Sequence, residues 1–241
     1  MSLIAQALRL PASLAGIDLA DATRQLDRAL HAGGASTVAV ADGLGYVEAK
    51  LGRFAMASTM LEGERVARAV LTHIRVAPFF GALVLVVHPR PEIDAPVLVA
   101  DLNVVPPGRA RAYLDVCGPA IAKPGFRKEF YAPLDRALGA THALRRDVVP
   151  GWIAPLSGGC GGVVRARGNT ASQLFGVMLR YVETYLACLA QAPQSADAGA
   201  NLASARSVGD VVRANGRAGV MLARAFGDAT SARYQRLLWN D

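Results

Sequence analysis

The sequence predicts an α+β protein in which a central, mainly antiparallel β-sheet carries helices on both faces, as a three-layer α/β/α sandwich. Strand-like segments follow one another between residues 36 and 105 through short links. The second half of the chain has mostly helical periodicity. Strands and helices do not alternate, which argues against a doubly wound parallel sheet. The length of 241 residues favours one domain over residues 1–241.

The first element is a predicted helix over residues 19–31, which Gly33 and Gly34 end. Strands follow it at 36–41, 45–57, 65–76, 80–87 and 96–105. Gly52 is predicted to mark a β-bulge, because the apolar alternation changes phase there. Residues 61–64 are predicted to form a hairpin loop.

The strand pattern also predicts how the sheet is connected. Residues 65–76 alternate, so that Leu71, His73 and Arg75 share one face. The runs 80–87 and 96–105 are continuously apolar, which is typical of strands covered on both faces. The link between these two runs is too short for a crossover helix, and neighbouring strands are therefore expected to be antiparallel.

The second half predicts a helix at 125–138, a strand at 163–167 and a long helix at 170–190 capped by Asn169. A further helix over 202–226 ends at Gly227 as its C-cap, and a last short helix ends at Trp239.

The charge balance predicts an anionic partner. The chain has 26 Lys and Arg against 19 Asp and Glu, a net charge of +7. It lacks a dense Lys/Arg run and contains only 6% aromatic residues, so a nucleic-acid partner is not expected. No run of 18 uncharged apolar residues predicts a membrane span, and a charged leader region is absent from the first residues, so a cytoplasmic location is expected.

The metal-ligating residue types are sparse. Cys117, Cys160 and Cys188 have no CxxC spacing, and no two of the four histidines are four residues apart. A disulfide framework, a cysteine-rich zinc site and an HExxH metal site are therefore not expected.

Four features could carry chemistry. The Gly-rich segment 157–162 is either an anion-binding nest with an exposed, nucleophilic Cys160 or a flexible turn. His73 is either a structural residue or, if its face lines a pocket, a proton donor. Arg165 and Arg167 alternate along a strand, on a solvated face or as ligands for a carboxylate. The triplet 215–217 interrupts a helix, either as a kink or as a break that turns polar groups into a cavity.

Six short segments, taken in order, resemble the ferredoxin-dependent bilin reductase superfamily, which includes red chlorophyll catabolite reductase. They are Thr72-His-Ile-Arg-Val-Ala-Pro78, Phe79-Phe-Gly-Ala-Leu-Val-Leu-Val86, Val97-Leu-Val-Ala-Asp-Leu-Asn-Val-Val-Pro106, Val163-Val-Arg-Ala-Arg167, Arg213-Ala-Asn-Gly-Arg217 continuing to Gly227, and Tyr234 to Trp239. The resemblance runs from about residue 65 to the C-terminus.

The resemblance implies an α/β/α sandwich that holds an open-chain tetrapyrrole, such as biliverdin, between the sheet and the C-terminal helices. It implies electrons from ferredoxin, an acidic protein, and no bound metal or flavin. His73 matches the family's histidine that faces the bilin lactam oxygens, and Arg165 matches an arginine that pairs with a propionate. Arg217 matches a second basic propionate contact, and Asn215 matches its neighbour.

The sequence also departs from the family pattern. Leu83 and Gly216 stand where the resemblance places the catalytic aspartate of a strand and the aspartate of a helix. These departures leave His73 as the expected proton-handling residue. Three functions remain open: reduction of a bilin or another anionic tetrapyrrole, binding of a tetrapyrrole without reduction or action on a smaller anionic metabolite, and a purely structural interaction domain.

Overall fold

A computed structural model of the chain describes residues 17–41, 43–50, 52–76, 80–105, 108–118, 127–139, 144–167, 170–215 and 217–239. The strands are β1 (Ala35–Val38), β2 (Tyr46–Ala49), β3 (Phe54–Gly63), β4 (Val66–Val76), β5 (Phe80–Pro89), β6 (Val97–Val105), β7 (Arg109–Cys117), β8 (Arg145–Asp147) and β9 (Gly162–Arg167). The α-helices are α1 (Leu19–Ala32), α2 (Ala132–Gly139), α3 (Ala171–Gln191), α4 (Ala198–Asn215), α5 (Arg217–Phe226) and α6 (Asp228–Trp239).

The strands form one nine-stranded sheet in the order β1-β3-β4-β5-β6-β7-β9-β8, with β2 paired to β3 beside β1. Every pairing is antiparallel. The expected fold class is confirmed. Short links join the strands from β2 to β7, and most of the helices come later in the chain. The path from β4 to β7 is a meander of neighbouring strands, which places their side chains in register.

One face of the sheet is covered by α1, α2 and α3. In β4 and β5, Leu71, Leu83 and Leu85 point to this side, where they share a core with Leu26 of α1 and Tyr181 of α3. These residues are almost completely buried. Because side chains alternate along a strand, their sequence neighbours must point to the opposite face.

The opposite face is covered by α4, α5 and α6. Here Val70, Ile74 and Val86 of the sheet share a second core with Tyr234 and Leu238 of α6. This core does not fill the whole space between the sheet and the helices, because a cavity lies between them.

Hydrogen bonds from the sheet attach the C-terminal helix. The buried His88 bonds the Leu238 carbonyl oxygen through Nε2 at 2.7 Å. Arg68 donates to the carbonyl oxygen of Leu237 at 3.0 Å. The Trp239 ring packs edge-on against His88 with ring centroids 5.9 Å apart. These contacts use the last carbonyl groups of α6, which have no partner inside the helix, and hold the helix over the sheet.

Some element boundaries differ from the sequence prediction. Residues 45–57 form two strands, and Gly52 (φ 79°) lies in the turn between them rather than in a bulge. The hairpin predicted at 61–64 is present, but its loop is later and shorter, because β3 continues to Gly63 and β4 begins at Val66. The proposed cap Asn169 lies outside the described residues, whereas the expected C-cap at Gly227 is confirmed by its φ of 89°.

Strand β7 was not predicted, although its sequence alternates. Ala110, Ala112 and Leu114 face the α3 side, and Arg111 and Tyr113 face the other. The arginines prevent a continuous apolar run, but the sequence does have the period-two alternation that is typical of a strand.

The Gly-rich loop packs tightly against β7. A Cβ on Gly161 would lie 2.3 Å from the Leu114 carbonyl oxygen and 2.4 Å from the Asp115 carboxylate. Cys160 is 2% exposed, and burial raises the pKa of its thiol to about 12. The interpretation of Cys160 as an exposed nucleophile is therefore wrong, because its thiol is buried and protonated.

We expect Gly161→Ala to lower the free energy of unfolding by about 1–3 kcal/mol, because the methyl group forces the loop away from β7. Gly151→Ala is the matched control, since a Cβ there would meet nothing within 4 Å. Urea unfolding of both variants measures the difference. Equal stability of the two variants would contradict the close packing of this loop.

Candidate functional site

A cavity of about 590 Å³ lies between the sheet and the helices α4, α5 and α6. Its floor is formed by the apolar side chains of β4 and β5, including Ile74, Ala82 and Val86. Polar groups line the cavity on two sides. Strand β6 contributes Asp101 and Asn103, and strand β7 contributes Arg111 and Tyr113. The helices contribute Asn215 and Tyr234. An apolar floor with a few converging polar groups is typical of a site for an organic ligand.

Asp101 is the carboxylate of this cavity. It lies in the middle of β6, where Leu102 and Ala100 on either side point into the opposite core. The Asn103 side-chain amide donates a hydrogen bond to its Oδ1 atom. Directly opposite Asp101 in the β6–β7 register stands Tyr113.

The environment of Asp101 favours its protonated form. Removal from water raises the pKa of this carboxyl from an ordinary 3.8 to about 7, although Arg111 and the Asn103 hydrogen bond oppose the shift. A carboxyl group that titrates near neutral pH can hold a proton and release it to a ligand. The chemistry available at this end of the cavity is therefore proton donation.

A second carboxylate, Asp115, lies behind the cavity wall. It is fully buried beneath the Gly-rich loop and accepts hydrogen bonds from the Val116 backbone N–H at 2.9 Å and from the Tyr113 hydroxyl at 3.1 Å. Burial raises the pKa of Asp115 to about 6. Its hydrogen bond with Tyr113 holds the Tyr113 ring in the cavity wall.

Arginines concentrate at one edge of the cavity. Arg111 stands opposite Arg165, and Arg109 stands opposite Arg167, in the β7–β9 register. All four line a shallower depression of about 460 Å³, which shares Asn103 and Arg111 with the cavity. Like charges directly opposite each other in a sheet destabilise it, so an anion bound between the strands would relieve their repulsion.

Arg165 is partly neutralised already. Its Nε atom lies 2.7 Å from Oδ2 of Asp147 in the neighbouring strand β8. The Arg165 side chain remains 56% exposed, so the pair leaves much of the guanidinium free for another anion. Arg111 lines both the cavity and the depression and connects the two.

The sequence matches the family model of the ferredoxin-dependent bilin reductases over residues 23–240. The chain belongs to this family. Among curated proteins, none matches the sequence. Among solved structures, the fold is similar to phytochromobilin synthase from tomato in complex with biliverdin, with a TM-score of 0.76 at 13% identity over 90% of this chain and 80% of that one. The family expected from short motifs is thus confirmed over most of the chain.

The bilin reductase family binds bilins and takes electrons from ferredoxin. Two of the expected site residues lie in or beside the cavity. Asn215 ends α4, lines the cavity and donates its side-chain amide to the Val211 carbonyl oxygen at 2.9 Å. Arg165 lies in the adjoining depression. Gly216 and the side chain of Arg217 lie outside the described residues.

Two other expected site residues point away from the cavity. His73 and Leu83 are direct partners in the β4–β5 register, and both face the helix α1 side of the sheet. His73 is 2% exposed, and burial, with a contribution from Arg75, lowers the pKa of its imidazole to about 4. His73 and Leu83 therefore do not line this cavity, contrary to the sequence expectation, because odd-numbered residues of these strands belong to the other core.

The sequence analysis gave no role to the main polar residues of the cavity, Asp101, Arg111 and Tyr113, although Asp101 lies within one of the six motifs. A signal for Asp101 was present, since it is the one charged residue in the apolar run 96–105. A charge in a strand buried on both faces must serve a site or a partner. No signal of comparable strength marked Tyr113.

In the ranges that the structure describes, no group of three or more His, Cys, Asp or Glu is placed to hold a metal ion. None of the helices found in those same ranges is long and apolar enough to cross a membrane.

The raised pKa of Asp101 predicts a pH-dependent effect on stability. Below about pH 4 this carboxyl is protonated in both the folded and unfolded protein. As pH rises, the unfolded chain releases its proton first, so wild-type stability falls until the folded carboxyl ionises near pH 7. Asp101→Asn cannot ionise, and its melting temperature should therefore exceed that of wild type increasingly between pH 4 and 7, with a constant difference above pH 7.

Asp21→Asn is a control of opposite sign. Hydrogen bonds from Gln25 and Arg24 lower the pKa of Asp21, so its ionised form stabilises the fold at neutral pH. This variant should melt below wild type at pH 7 and approach it as the pH falls. A melting difference for Asp101→Asn that does not vary with pH would contradict the raised pKa.

Proposed function

We propose that this protein binds an open-chain tetrapyrrole in the cavity over β4 to β7 and reduces it with electrons supplied by ferredoxin. Biliverdin is the proposed test substrate. The observation that carries the proposal is Asp101, a carboxyl group with a pKa raised to about 7 in the wall of the cavity of about 590 Å³.

The chemistry of the reaction explains why this group matters. Reduction of one double bond consumes two electrons and two protons, and ferredoxin supplies only the electrons. A proton donor is most effective when its pKa lies near the working pH. Asp101 meets that requirement. The absence of a carboxylate at Leu83 therefore does not leave the cavity without a proton donor.

The cavity also suits the shape and polarity of a tetrapyrrole. Its volume of about 590 Å³ lies within the usual range for organic ligands. The apolar floor can cover the pyrrole rings, and Trp152 and Met221, both partly exposed, line the same space.

The arginine edge suits the propionate groups of a bilin. Arg111 reaches the cavity itself, whereas Arg165 lies just outside it and is paired with Asp147. Hydrogen bonds between a guanidinium and a carboxylate are stronger than neutral ones and hold the carboxylate in a defined orientation. We infer that Arg111 makes the principal propionate contact and Arg165 a secondary one.

The net charge of +7 supports the family's electron donor as partner. An acidic ferredoxin would be attracted to a basic surface, and complementary charge mainly increases the rate of encounter. The rate of reduction is therefore expected to fall as the salt concentration rises.

We expect Asp101→Asn to retain biliverdin binding and to lose turnover about 10²- to 10⁴-fold, because asparagine cannot transfer a proton. In wild type, the rate should fall as pH rises through about 7, where Asp101 loses its proton. An anaerobic assay with biliverdin, ferredoxin and its reductase, followed by visible absorbance, measures both effects.

His73→Gln is the matched control for that assay, since His73 lies on the opposite face and should not affect turnover. Full turnover by Asp101→Asn would refute the assigned proton donor. Biliverdin binding by wild type without reduction, under conditions in which a known bilin reductase works, would favour a protein that binds the tetrapyrrole without reducing it.

The arginine assignment predicts an order of binding affinities. Arg111→Ala should weaken biliverdin binding about tenfold or more, and Arg165→Ala should weaken it less, since Asp147 already neutralises part of its charge. Arg28→Ala is the control, because Arg28 is exposed on α1 at the other face of the sheet. Absorbance titrations measure the three affinities, and equal affinity in all three variants would contradict the assignment.

A further inference from the structure

Tyr234 presents a hydrogen-bond donor without an acceptor in the cavity wall. It belongs to α6, lines the cavity and is 2% exposed. Its hydroxyl group has no hydrogen-bond partner among the residues that the structure describes. Four other tyrosines do have such partners: Tyr46 with Glu48, Tyr113 with Asp115, Tyr181 with Cys160 and Tyr185 with Pro96.

The surroundings of this hydroxyl place it beside the proposed reaction site. It is close enough to the carboxylate of Asp101 for that charge to affect its pKa. Thr72 also lies close, but the two hydroxyls do not reach hydrogen-bond geometry, and Thr72 is bonded to Ser58 at 3.1 Å. Asp101 and Tyr234 therefore line the same part of the cavity.

The attachment of α6 to the sheet limits how far the Tyr234 hydroxyl can move towards another acceptor. His88 and Arg68 hold the last turn of the helix to the sheet at the carbonyl oxygens of Leu238 and Leu237. Trp239, next along this turn, has an indole N–H that also lacks a partner among the described residues and lines the cavity too. A buried donor without an acceptor destabilises the folded protein, so an arrangement with two of them on one wall points to an acceptor that arrives with a ligand.

We propose that the Tyr234 hydroxyl donates a hydrogen bond to a carbonyl oxygen of the bound tetrapyrrole. This inference rests on the proposed function and assigns the orientation of its substrate. Open-chain tetrapyrroles carry a lactam carbonyl on each terminal ring, and this oxygen accepts the bond. The terminal ring is thereby held next to Asp101, so that the proton donor and the ring that receives the proton are brought together by two different elements, β6 and α6.

Two matched substitutions test the inference, because they predict opposite changes. Tyr234→Phe removes a hydroxyl that has no partner in the unliganded protein, so its melting temperature should be unchanged or raised by a few degrees. The same variant should bind biliverdin about five- to thirtyfold more weakly than wild type, since the bond to the ligand is lost. Both quantities are measured on the full chain, by thermal unfolding without ligand and by absorbance titration.

Tyr185→Phe is the reverse case. The Tyr185 hydroxyl donates to the Pro96 carbonyl oxygen at 2.8 Å, and the residue is buried in the core on the α3 side of the sheet. Its loss should lower the melting temperature by about 2–6 °C and leave biliverdin affinity unchanged, because the group stabilises the fold and does not reach the cavity.

The outcomes separate this inference from the proposed function. If wild type does not bind biliverdin, the proposed function itself fails. If wild type binds and Tyr234→Phe binds equally well, the function stands and the role of Tyr234 is overturned. A melting temperature of Tyr234→Phe well below that of wild type without ligand also overturns it, because the hydroxyl would then have a partner inside the unliganded protein.

Discussion

The alternation of side chains along the sheet is the constraint on which the rest of the structure depends. The strands from β4 to β7 are covered on both faces over most of their length, so a buried residue belongs either to the core with α1 and α3 or to the side with the cavity. A shift of one position exchanges the two sets. His73 and Asp101 are both polar residues in buried strands, yet only Asp101 lies on the cavity side.

The same two-sided burial explains the unusual properties of the site. A carboxylate on a surface strand would be ionised at neutral pH, whereas Asp101 has apolar neighbours along β6 and a helix layer above it. Burial raises the pKa of Asp101, and the nearby Arg111 limits the rise, so this pKa lies close to neutral pH. The arginines at the edge are exposed, because their strands reach solvent there.

The attachment of α6 to the sheet positions the wall of the cavity that lies opposite the strands. Its last carbonyl groups accept hydrogen bonds from β4 and β5 through Arg68 and His88, and Gly209 of α4 allows close approach to Trp239, since a Cβ there would lie 2.8 Å from that side chain. The last helix is therefore fixed to both the sheet and a neighbouring helix. Tyr234 of this helix is thereby held in the cavity wall.

From the sequence alone, local patterns predicted much of the fold. Continuous apolar runs identified β5 and β6, short links implied antiparallel pairing, and the Asn-Gly-Arg triplet drew attention to Asn215, which lines the cavity. Strand β7 was missed, since Arg109 and Arg111 interrupt its apolar residues. These successes and failures have one cause: periodicity and turn signals are local properties, and each can be recognised within a few residues.

The sequence by itself therefore determined the fold class, the antiparallel connection of the strands and the resemblance to a family that was later confirmed. Only the tertiary structure decided which residues meet in the cavity. Short motifs matched His73 and Leu83 to site positions, but neither motif contains information about the face to which its strand turns. Asp101, Arg111 and Tyr234 come from β6, β7 and α6, and their proximity arises from strand register and from the attachment of the last helix, which are set by contacts between residues distant in sequence.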